Sequence, residues 1–449
     1  MNPDFLLTTP LARSLYHGCA KDLPIIDYHN HLPVAELTDG RKDCNITDLW
    51  VRPDPYKHRA MRILGVEERL ITGESTDFEK FRAWYMSLPR LIGNPLFDWS
   101  CMELSRVFGY ELLPFRTPEQ AWEVLNQAVQ SMTVADILSK FSIEYSASCA
   151  ALCDSLESFS PADGICPSLR GDDLLLPTAE CTDKLAKVTG VAITDLDSYL
   201  SAIRVRLDAF RDTGCRFADH ALDNGFTYLP DDGRNPARFS ALLAGKALSK
   251  EDQTRLSGKV LTALSSEYAR VGFTLQLHIG AQRTTSTRLR NIAGPAGGYA
   301  AIGGTVDVLS LTGFLDAVEQ TKYGLPRILL FTLNPADNAV MATLSGSYAK
   351  DGCEALVSQG PAWWWCDHYE GMTQMLDVFT SHSVLSGFIG MTTDSRSVLS
   401  FVRHDYFRRI LCQWIADKVS AGRLPEDESL LRDLIRRVCY ENAKNRLGE

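Results

Sequence analysis

Short apolar runs alternate with amphipathic helical stretches along most of the chain, and many of the runs end in a polar residue. Such alternation is typical of an α/β fold in which a helix follows each strand of a parallel sheet. Polar groups at the carboxyl ends of many strands favour a (β/α)8 barrel of the TIM type. The predicted strands are Leu23–His29, Gly164–Ser168, Phe217–His220, Thr274–His278, Arg327–Phe331 and Ser386–Gly390.

The pattern becomes helical, with few strand signals, in two long stretches. The first runs from about Asn45 to Lys140 and predicts a helical insertion after the first strand. The second begins at Phe401, and Ala421–Pro425 ends one helix there before the next begins. We therefore predict an N-terminal segment with the first barrel strand (residues 1–44), the helical insertion (45–140), the remainder of the barrel (141–400) and extra C-terminal helices packed on the barrel (401–449).

Composition narrows the function classes. The chain has 449 residues and a net charge of −10, which disfavours a nucleic-acid partner. No apolar run approaches the roughly 20 residues that span a bilayer, and the first 23 residues do not resemble a signal peptide. The twelve cysteines are scattered without a C-x-x-C pair, which predicts reduced thiols. We expect a cytoplasmic enzyme that acts on a small molecule, without a membrane partner.

Histidines follow or end three of the predicted strands. His29 and His31 are two residues apart at the end of the first strand, so both side chains point to the same side and could bind a divalent metal. His278 ends a later strand, and His220 ends another. Histidines in polar turns are more often structural, but four at strand ends favour a shared metal site.

The segment Thr392–Ser397 follows the last predicted strand. Asp394 could cap the next helix, or it could complete the metal site and act as a base. Arg396 offers a rigid fork of donors for an oxyanion. Residue pattern alone leaves both interpretations open.

Further candidates have ordinary structural explanations as well. Tyr56, His58 and Arg59 begin a basic helix inside the insertion, and they matter only if the insertion covers the barrel mouth. Arg170 follows a predicted strand but could be a surface arginine. The aromatic run that begins with Trp363 and Trp364 is more often core than ligand contact.

Together these segments resemble the uronate isomerase (glucuronate isomerase) family of the amidohydrolase superfamily, over nearly the whole chain. The block after the last predicted strand, Thr393–Ser397 with Arg403–Arg409, is highly specific to that family. The other matching segments are Ile26–Pro33, Tyr56–Arg62, Leu277–Arg283, Leu333–Asn338 and Trp363–Trp364.

The resemblance implies an aldose–ketose isomerisation of D-glucuronate to D-fructuronate and of D-galacturonate to D-tagaturonate. It implies a divalent metal, expected to be zinc, and a homo-oligomer that binds a uronic acid. The implied metal ligands are His29, His31, His278 and Asp394. The implied catalytic residues are Asp394, Tyr56 and Arg396, and the expected substrate-binding residues are Arg170, His58, Arg59, Trp363, Trp364 and His220.

These residues support a mechanism through an enediolate. Asp394 is expected to remove the C2 proton, and Tyr56 to assist exchange at C1 or O1. Arg396 would stabilise the enediolate, and Arg170 could hold the substrate carboxylate with two hydrogen bonds.

Two segments depart from the family pattern. A Thr-Thr-Asp-Asp-Pro-like motif corresponds here to Ser148–Leu152, which has no carboxylate, and Gly171 replaces the proline after Arg170. The tryptophan pair is followed by Trp365–Cys366 where Phe-Asn is usual. The alternatives are a metal-dependent hydrolase of the same superfamily and a non-catalytic sugar-binding or metal protein. About one metal ion per chain would favour the isomerase, and two the hydrolase.

Overall fold

The computed structural model describes residues 2–38, 44–112 and 117–448 and shows a mixed α/β protein. Its centre is a curled sheet of seven parallel strands in the order β1-β2-β3-β4-β5-β8-β9, and β6 and β7 form a separate antiparallel pair. The strands are β1 Ile25–Asn30, β2 Ile143–Ala151, β3 Ile165–Arg170, β4 Phe217–Leu222, β5 Thr274–Ile279, β6 Ala281–Gln282, β7 Ala301–Ile302, β8 Arg327–Thr332 and β9 Val357–Gln359.

Five of the six predicted strands are present, with small differences at their ends. The sixth is wrong: Leu385–Gly387 forms a short 3₁₀ turn, and Phe388 to Asp394 lie outside the strands of the sheet. This segment nevertheless runs beside β1, because Asp394 donates its backbone N–H to the carbonyl of His29 at 3.0 Å. The backbone N–H of His29 donates to the hydroxyl of Thr392 at 2.9 Å, where a regular strand pair would offer a backbone carbonyl. Side-chain bonding of this kind replaces regular strand pairing.

Helices occupy both stretches in which the alternation stops. Helices α2 to α8 lie between β1 and β2, and α17 to α19 occupy the stretch that begins at Phe401. The helices are α1 Pro10–Leu15, α2 Val34–Thr38, α3 Ile46–Trp50, α4 Pro55–Ile63, α5 Asp77–Ser87, α6 Pro95–Phe108, α7 Pro118–Gln130, α8 Val134–Lys140, α9 Ala179–Thr189, α10 Leu196–Asp212, α11 Asn235–Leu243, α12 Lys250–Val271, α13 Thr287–Ala293, α14 Val308–Glu319, α15 Asn338–Ser347, α16 Tyr369–His382, α17 Val402–Ser420, α18 Glu428–Arg436 and α19 Asn442–Lys444.

Local sequence explains where helix α4 begins. The carboxylate of Asp54 accepts the backbone N–H of Tyr56 at 2.9 Å, and Pro55 occupies the first turn, where its missing N–H costs nothing. This cap fixes Tyr56 at the start of the helix. None of the helices in the described ranges is long and apolar enough to cross a membrane.

Side chains alternate across the sheet, and the alternation decides which residues reach its concave side. On β4, Phe217 packs in a small core inside the curl, whereas Ala218 and Leu222 pack against the surrounding helices. On β5, Leu275 and Leu277 likewise face the helices. Residues in phase with Phe217 therefore point into the curl.

Candidate active site

His29, His31 and Asp394 converge on one point. The Nε2 atom of His31 lies 3.1 Å from Oδ1 of Asp394, and the Nε2 atom of His29 lies 3.4 Å from the same oxygen. His29 belongs to β1, His31 follows it, and Asp394 arrives from the segment beside β1. The carboxyl end of β1 thus brings together three of the predicted metal ligands, His29, His31 and Asp394.

The backbone of Asp394 is held in an unusual conformation. Its φ is +47°, in the left-handed region that few residues other than glycine adopt. The neighbouring Thr392 and Thr393 donate hydrogen bonds to the fully buried carboxylate of Asp27, which also accepts a hydrogen bond from Nε2 of His404 at 3.1 Å. These hydrogen bonds keep the backbone of Asp394 in its strained conformation. Strained backbone that is maintained by its surroundings is typical of functional sites.

Three further groups lie against His29 on the concave side. Sγ of Cys149, on β2, is 3.8 Å from Nδ1 of His29 and 3.8 Å from Oδ1 of Asp219. His278, on β5, has its ring centroid 4.7 Å from that of His29, and its Nδ1 is 3.8 Å from Oδ2 of Asp219. Two groups bring their ligand atoms within 4.8 Å of one another: His29 with His31 and Cys149, and His29 with Asp219 and His278.

The electrostatic environment sets the charge of these groups. Burial disfavours the ionised carboxyl of Asp394, but hydrogen bonds from His29 and His31 hold its pKa well below the usual range. Burial, together with the charge of His29, keeps the pKa of His278 well below its ordinary value, so its imidazole is neutral. Burial raises the pKa of Asp219 to about 7, and nearby Cys149 adds to the effect. Asp394 is therefore a carboxylate at neutral pH.

The donor set fits a divalent first-row metal ion. Zinc lies about 2.0–2.1 Å from nitrogen and oxygen ligands, which places the donors of a tetrahedral site roughly 3.3 Å apart. The separations of 3.1 and 3.4 Å around Asp394 agree with that spacing. In addition, Oδ2 of Asp219 is fully buried and has no hydrogen-bond partner among the described residues. A buried carboxylate oxygen of this kind calls for a nearby cation.

A cavity of about 470 Å³ opens over this point. Three arginines line it: Arg170 at the end of β3, Arg283 and Arg396. Arg283 is committed to Asp223 through contacts of 2.8 and 3.0 Å, and Arg170 lies 3.3 Å from Asp172. The other lining residues are His29, His31, Pro55, Tyr56, Asp172, Leu175, Ala221, Asp223, His278, Pro295, Ala296, Gly298, Ala300, Trp363, Trp364 and Asp394.

The hydroxyl of Tyr56 reaches the cavity from helix α4. It donates to Oδ2 of Asp367 at 3.0 Å, and Arg403 lies 3.1 Å from the same oxygen and 4.6 Å above the tyrosine ring. Burial and the charge of Asp367 raise the pKa of Tyr56 well above its ordinary value. Burial raises the pKa of Asp367 to about 7, against the lowering effect of Arg403. The helical insertion therefore supplies a protonated hydroxyl to the site.

Trp363 and Trp364 form one wall of the cavity. The Trp363 ring lies 4.7 Å from that of His278, and its buried Nε1 has no partner among the described residues. Trp364 has a φ of +50° and lies beneath Arg283 at 5.6 Å. The pair combines an apolar surface with one free N–H donor.

Three expected substrate-binding residues lie outside the lining of this cavity. His220 points to the helix side of the sheet, where its Nε2 lies 2.8 Å from the hydroxyl of Tyr268. His58 is buried and donates Nε2–H to the carbonyl of Val51 at 3.1 Å. Arg59 lies 4.7 Å over Trp365 and borders a neighbouring cavity.

Sequence analysis did not select Cys149, Asp219, Asp27 or Asp367. Strand alternation would have found Asp219, because it is in phase with Phe217 and therefore faces the concave side, whereas His220 does not. Cys149 has the same phase as Tyr145 and Ala147, which lie in the core inside the curl. No local pattern marks Asp367, which meets Tyr56 across 311 positions of the chain.

Comparisons with known proteins agree with one another. The glucuronate isomerase family model matches residues 1–447. Uronate isomerase of Caldicellulosiruptor saccharolyticus is 37% identical, with 100% of this chain and 99% of that protein covered. Uronate isomerase of Vibrio parahaemolyticus is also 37% identical, with 99% and 98% covered. The crystal structure of uronate isomerase from Thermotoga maritima superposes with a TM-score of 0.91 at 27% identity, over 99% of this chain and 98% of that one. Glucuronate isomerase from Caulobacter crescentus shares the fold, with a TM-score of 0.89 at 24% identity over 100% of this chain and 96% of that one.

Proposed function

Because the chain belongs to the glucuronate isomerase family, we propose that its cavity interconverts D-glucuronate with D-fructuronate and D-galacturonate with D-tagaturonate. The family is one of aldose–ketose isomerases, which are intramolecular oxidoreductases. One observation supports the site above all: His29, His31 and Asp394 meet at the floor of a cavity lined by three arginines. A uronic acid supplies the matching carboxylate. The hydrolase alternative lacks such support, and no lysine lines the cavity among the described residues.

We propose that a single divalent ion, zinc, is held by His29, His31 and Asp394, with His278 as a further donor. Such an ion stabilises negative charge on carbonyl and hydroxyl oxygens of the sugar. His278 suits this role by position, because its ring lies 4.7 Å from that of His29 and its Nδ1 lies 3.8 Å from Oδ2 of Asp219.

Asp394 is the proposed base for the proton at C2. Its carboxylate lies at the cavity floor and is ionised at neutral pH, since the histidines lower its pKa. Its strained backbone is fixed by the contacts of Thr392 and Thr393 with Asp27, so the carboxylate does not need to reorganise during the reaction.

Tyr56 is the proposed acid at C1 or O1. Its raised pKa makes it a donor rather than a base, and Asp367 fixes the direction of its hydroxyl. Asp367, with a pKa of about 7, can replace the proton that Tyr56 gives up. Before the next turnover Asp394 releases the C2 proton to solvent and Asp367 takes up a proton from solvent, and the reverse reaction exchanges the roles of the two carboxyl groups.

Arginines and tryptophans position the substrate in this proposal. Arg170 holds the substrate carboxylate, and Arg396 stabilises the enediolate. Arg396 suits a charged ligand, since no hydrogen bond or ion pair of its side chain occurs within the described residues, although it lines the cavity. Trp363 and Trp364 offer an apolar wall to the sugar ring.

The remaining expected residues act indirectly in this proposal. Arg59 and His58 hold helix α4, and thereby Tyr56, against its neighbours. His220 holds the end of β4 against helix α12 through Tyr268, so that Asp219 faces the site. None of the three needs to touch the sugar.

We also propose that the fold is a (β/α)8 barrel in which Phe388 to Asp394 occupy the place of the eighth strand. Its hydrogen bonds to β1 support this assignment. We further propose that the chain divides after residues 44, 140 and 400 into the first strand, the helical insertion, the remainder of the barrel and the C-terminal helices. All twelve cysteines are unpaired, which supports a cytoplasmic location, and we keep the homo-oligomer as a prediction.

The decisive experiment is an assay of the purified protein with D-glucuronate and D-galacturonate that follows the ketose product. We expect turnover of one or both uronates, and about one metal ion per chain by elemental analysis. Ketose formation from neither sugar, in metal-loaded and folded protein, would reject the proposed function. Two ions per chain together with lactone or amide hydrolysis would favour the hydrolase.

A further inference from the structure

Cys149 lies beside the proposed metal ligands, but the proposed mechanism gives it no role. It is the seventh residue of β2, where register with β3 pairs it with Ser168 on the adjacent strand. Its sulfur, His29 and His31 offer ligand atoms that all lie within 4.8 Å of one another. The residue is partly buried, and its sulfur lies beside the histidines that the cavity exposes.

The surroundings of Cys149 make a structural explanation weak. A histidine that binds a metal usually donates its second ring N–H to a carboxylate or a carbonyl, and sulfur is a poor acceptor in comparison. Here the sulfur lies 3.8 Å from Nδ1 of His29, although the stronger acceptor Asp219 is nearby. A purely structural cysteine packs as a small apolar group, whereas the sulfur of Cys149 contacts the polar side chains of His29, His31 and Asp219.

A second observation points to a cation at the same place. Asp219 is fully buried, and its Oδ2 has no hydrogen-bond partner among the described residues. Its basic neighbours stay beyond hydrogen-bond distance, with the guanidinium of Arg170 at 4.0 Å and Nδ1 of His278 at 3.8 Å. Cys149, Asp219 and Asp394 thus surround His29 with groups that a divalent ion would neutralise.

We propose that Cys149 is a thiolate ligand of the metal centre, in addition to His29, His31 and Asp394. Sulfur ligands select zinc and other thiophilic ions over magnesium, calcium or manganese, which prefer oxygen. Formation of the metal–sulfur bond breaks the S–H bond and releases one proton to solvent. Cys149 falls in Ser148–Leu152, where the sequence departs from the family pattern, so this ligand is a property of the present chain. The inference rests on the proposed metal centre but not on the identity of the sugar.

Substitution of Co(II) for the native metal tests the assignment by spectroscopy rather than by activity. A thiolate bound to Co(II) gives an intense sulfur-to-metal charge-transfer absorption in the near ultraviolet, which histidine and carboxylate ligands do not give. We expect this absorption in the wild-type protein at one Co(II) per chain. Cys149→Ser should remove it and weaken Co(II) binding at least about tenfold.

Cys153→Ser is the matched control, because Cys153 lies four residues further on, is also partly buried and is absent from both ligand groups. It should keep the absorption and the affinity for Co(II). Cys149→Ala provides a second variant if the serine hydroxyl binds the metal itself. Circular dichroism and the urea unfolding midpoint will show that each variant is folded.

The outcomes are distinct. Absence of the absorption in wild-type protein loaded with one Co(II), or its persistence in folded Cys149→Ser, overturns the assignment. Weaker Co(II) binding in Cys149→Ser, with no charge-transfer band in either protein, also overturns it and leaves Cys149 as a hydrogen-bond partner of His29. Failure of the uronate assay with the band present would reject the proposed function and leave the thiolate ligand intact.

Discussion

Asp27 accepts two hydrogen bonds from Thr393, one from its backbone N–H at 2.7 Å and one from its hydroxyl at 2.8 Å. The two residues are 366 positions apart, and the contact ties β1 to the segment that carries Asp394. Both ends are buried, so the contact is shielded from water. The position of the proposed base and metal ligand thus depends on a carboxylate that does not itself reach the cavity.

Asp27→Asn is expected to destabilise the fold and to lower metal occupancy. The amide replaces one acceptor oxygen with a donor, which faces the donors of Thr392 and Thr393 in a buried network. Disruption of a buried charged network costs about 3–5 kcal/mol. Urea unfolding measures the loss, and elemental analysis measures the metal.

The control for this change is Glu180→Gln, because Glu180 forms an exposed ion pair with Lys184 at 2.7 Å. Exposed pairs contribute little, so its unfolding curve should match that of the wild type. A wild-type midpoint for Asp27→Asn would show that the network does not stabilise the fold. Normal stability with lost metal would assign Asp27 to positioning alone.

Asp394→Asn is expected to abolish isomerisation and the exchange of deuterium into C2 of glucuronate. General-base catalysis contributes about 10²–10⁴-fold, and the amide has no basic lone pair for a proton. Exchange followed by NMR in D₂O measures proton removal independently of ketose formation. Retained exchange at the wild-type rate, in a variant that still binds metal, would remove Asp394 from the role of base.

Arg170→Ala should lower kcat/KM for uronates by roughly 10- to 150-fold, which corresponds to the loss of about 1.5–3 kcal/mol from hydrogen bonds to a charged group. Arg170→Lys keeps the charge but loses the planar fork, so an intermediate loss is expected. Steady-state kinetics with both uronates will measure the effect. An unchanged kcat/KM for Arg170→Ala would move carboxylate binding to Arg396.

The strand residues show how far the sequence determines the site. Apolar runs followed by polar residues located five strands, because a buried parallel strand is a nearly continuous hydrophobic run. The same runs placed His29 and His278 correctly at strand ends, since direction along a strand follows from sequence. The side of the sheet that a side chain faces does not follow from its position at a strand end. His220 and Asp219 are neighbours in the sequence, but only Asp219 points to the concave side.

Contacts between distant segments were beyond sequence reasoning. The apolar run that ends at Gly390 predicts a strand, but the hydroxyl of Thr392 and the anchoring by Asp27 replace ladder hydrogen bonds there. Likewise, the pairing of Tyr56 with Asp367 depends on how the helical insertion folds over the sheet. The hydrophobic periodicity of a sequence shows which face of a helix or strand is buried. It does not show which distant residues will form a contact.

Tyr56→Phe should reduce kcat by about 100-fold or more while leaving the ring contacts with Arg403 and Trp99 in place. The phenol is the proposed proton donor, and phenylalanine differs from tyrosine only by the hydroxyl. The measurement is kcat at saturating glucuronate. Asp367→Asn is the companion variant, since its amide oxygen can still accept the hydrogen bond but cannot return a proton. An unaffected kcat in Tyr56→Phe would exclude Tyr56 as the acid.

Because His220 is buried, we predict that the protein becomes less stable as the pH falls below neutrality. Burial, which is the main cause, lowers the pKa of His220 from 6.5 to about 4, because its charged form would lack water beside Tyr268. Between pH 6.5 and about 4 the unfolded chain binds a proton that the folded chain does not. The free energy of unfolding therefore falls as the pH decreases through this window, by roughly 3 kcal/mol for this residue when the pH reaches the lower pKa. Above pH 6.5 the contribution is constant.

His220→Gln removes the titration but retains a polar group that can meet the hydroxyl of Tyr268. Urea unfolding of both proteins at several values between pH 7 and pH 4.5 measures the dependence, and the curve of the variant should be flatter. His58, whose pKa burial also lowers to about 4, remains in the variant, so part of the slope must persist. Because His220 lies outside the cavity lining, kcat at pH 7 should stay within about threefold of the wild type. Parallel pH curves would show that His220 takes up its proton equally in both states, and a large loss of kcat would place it in contact with the substrate.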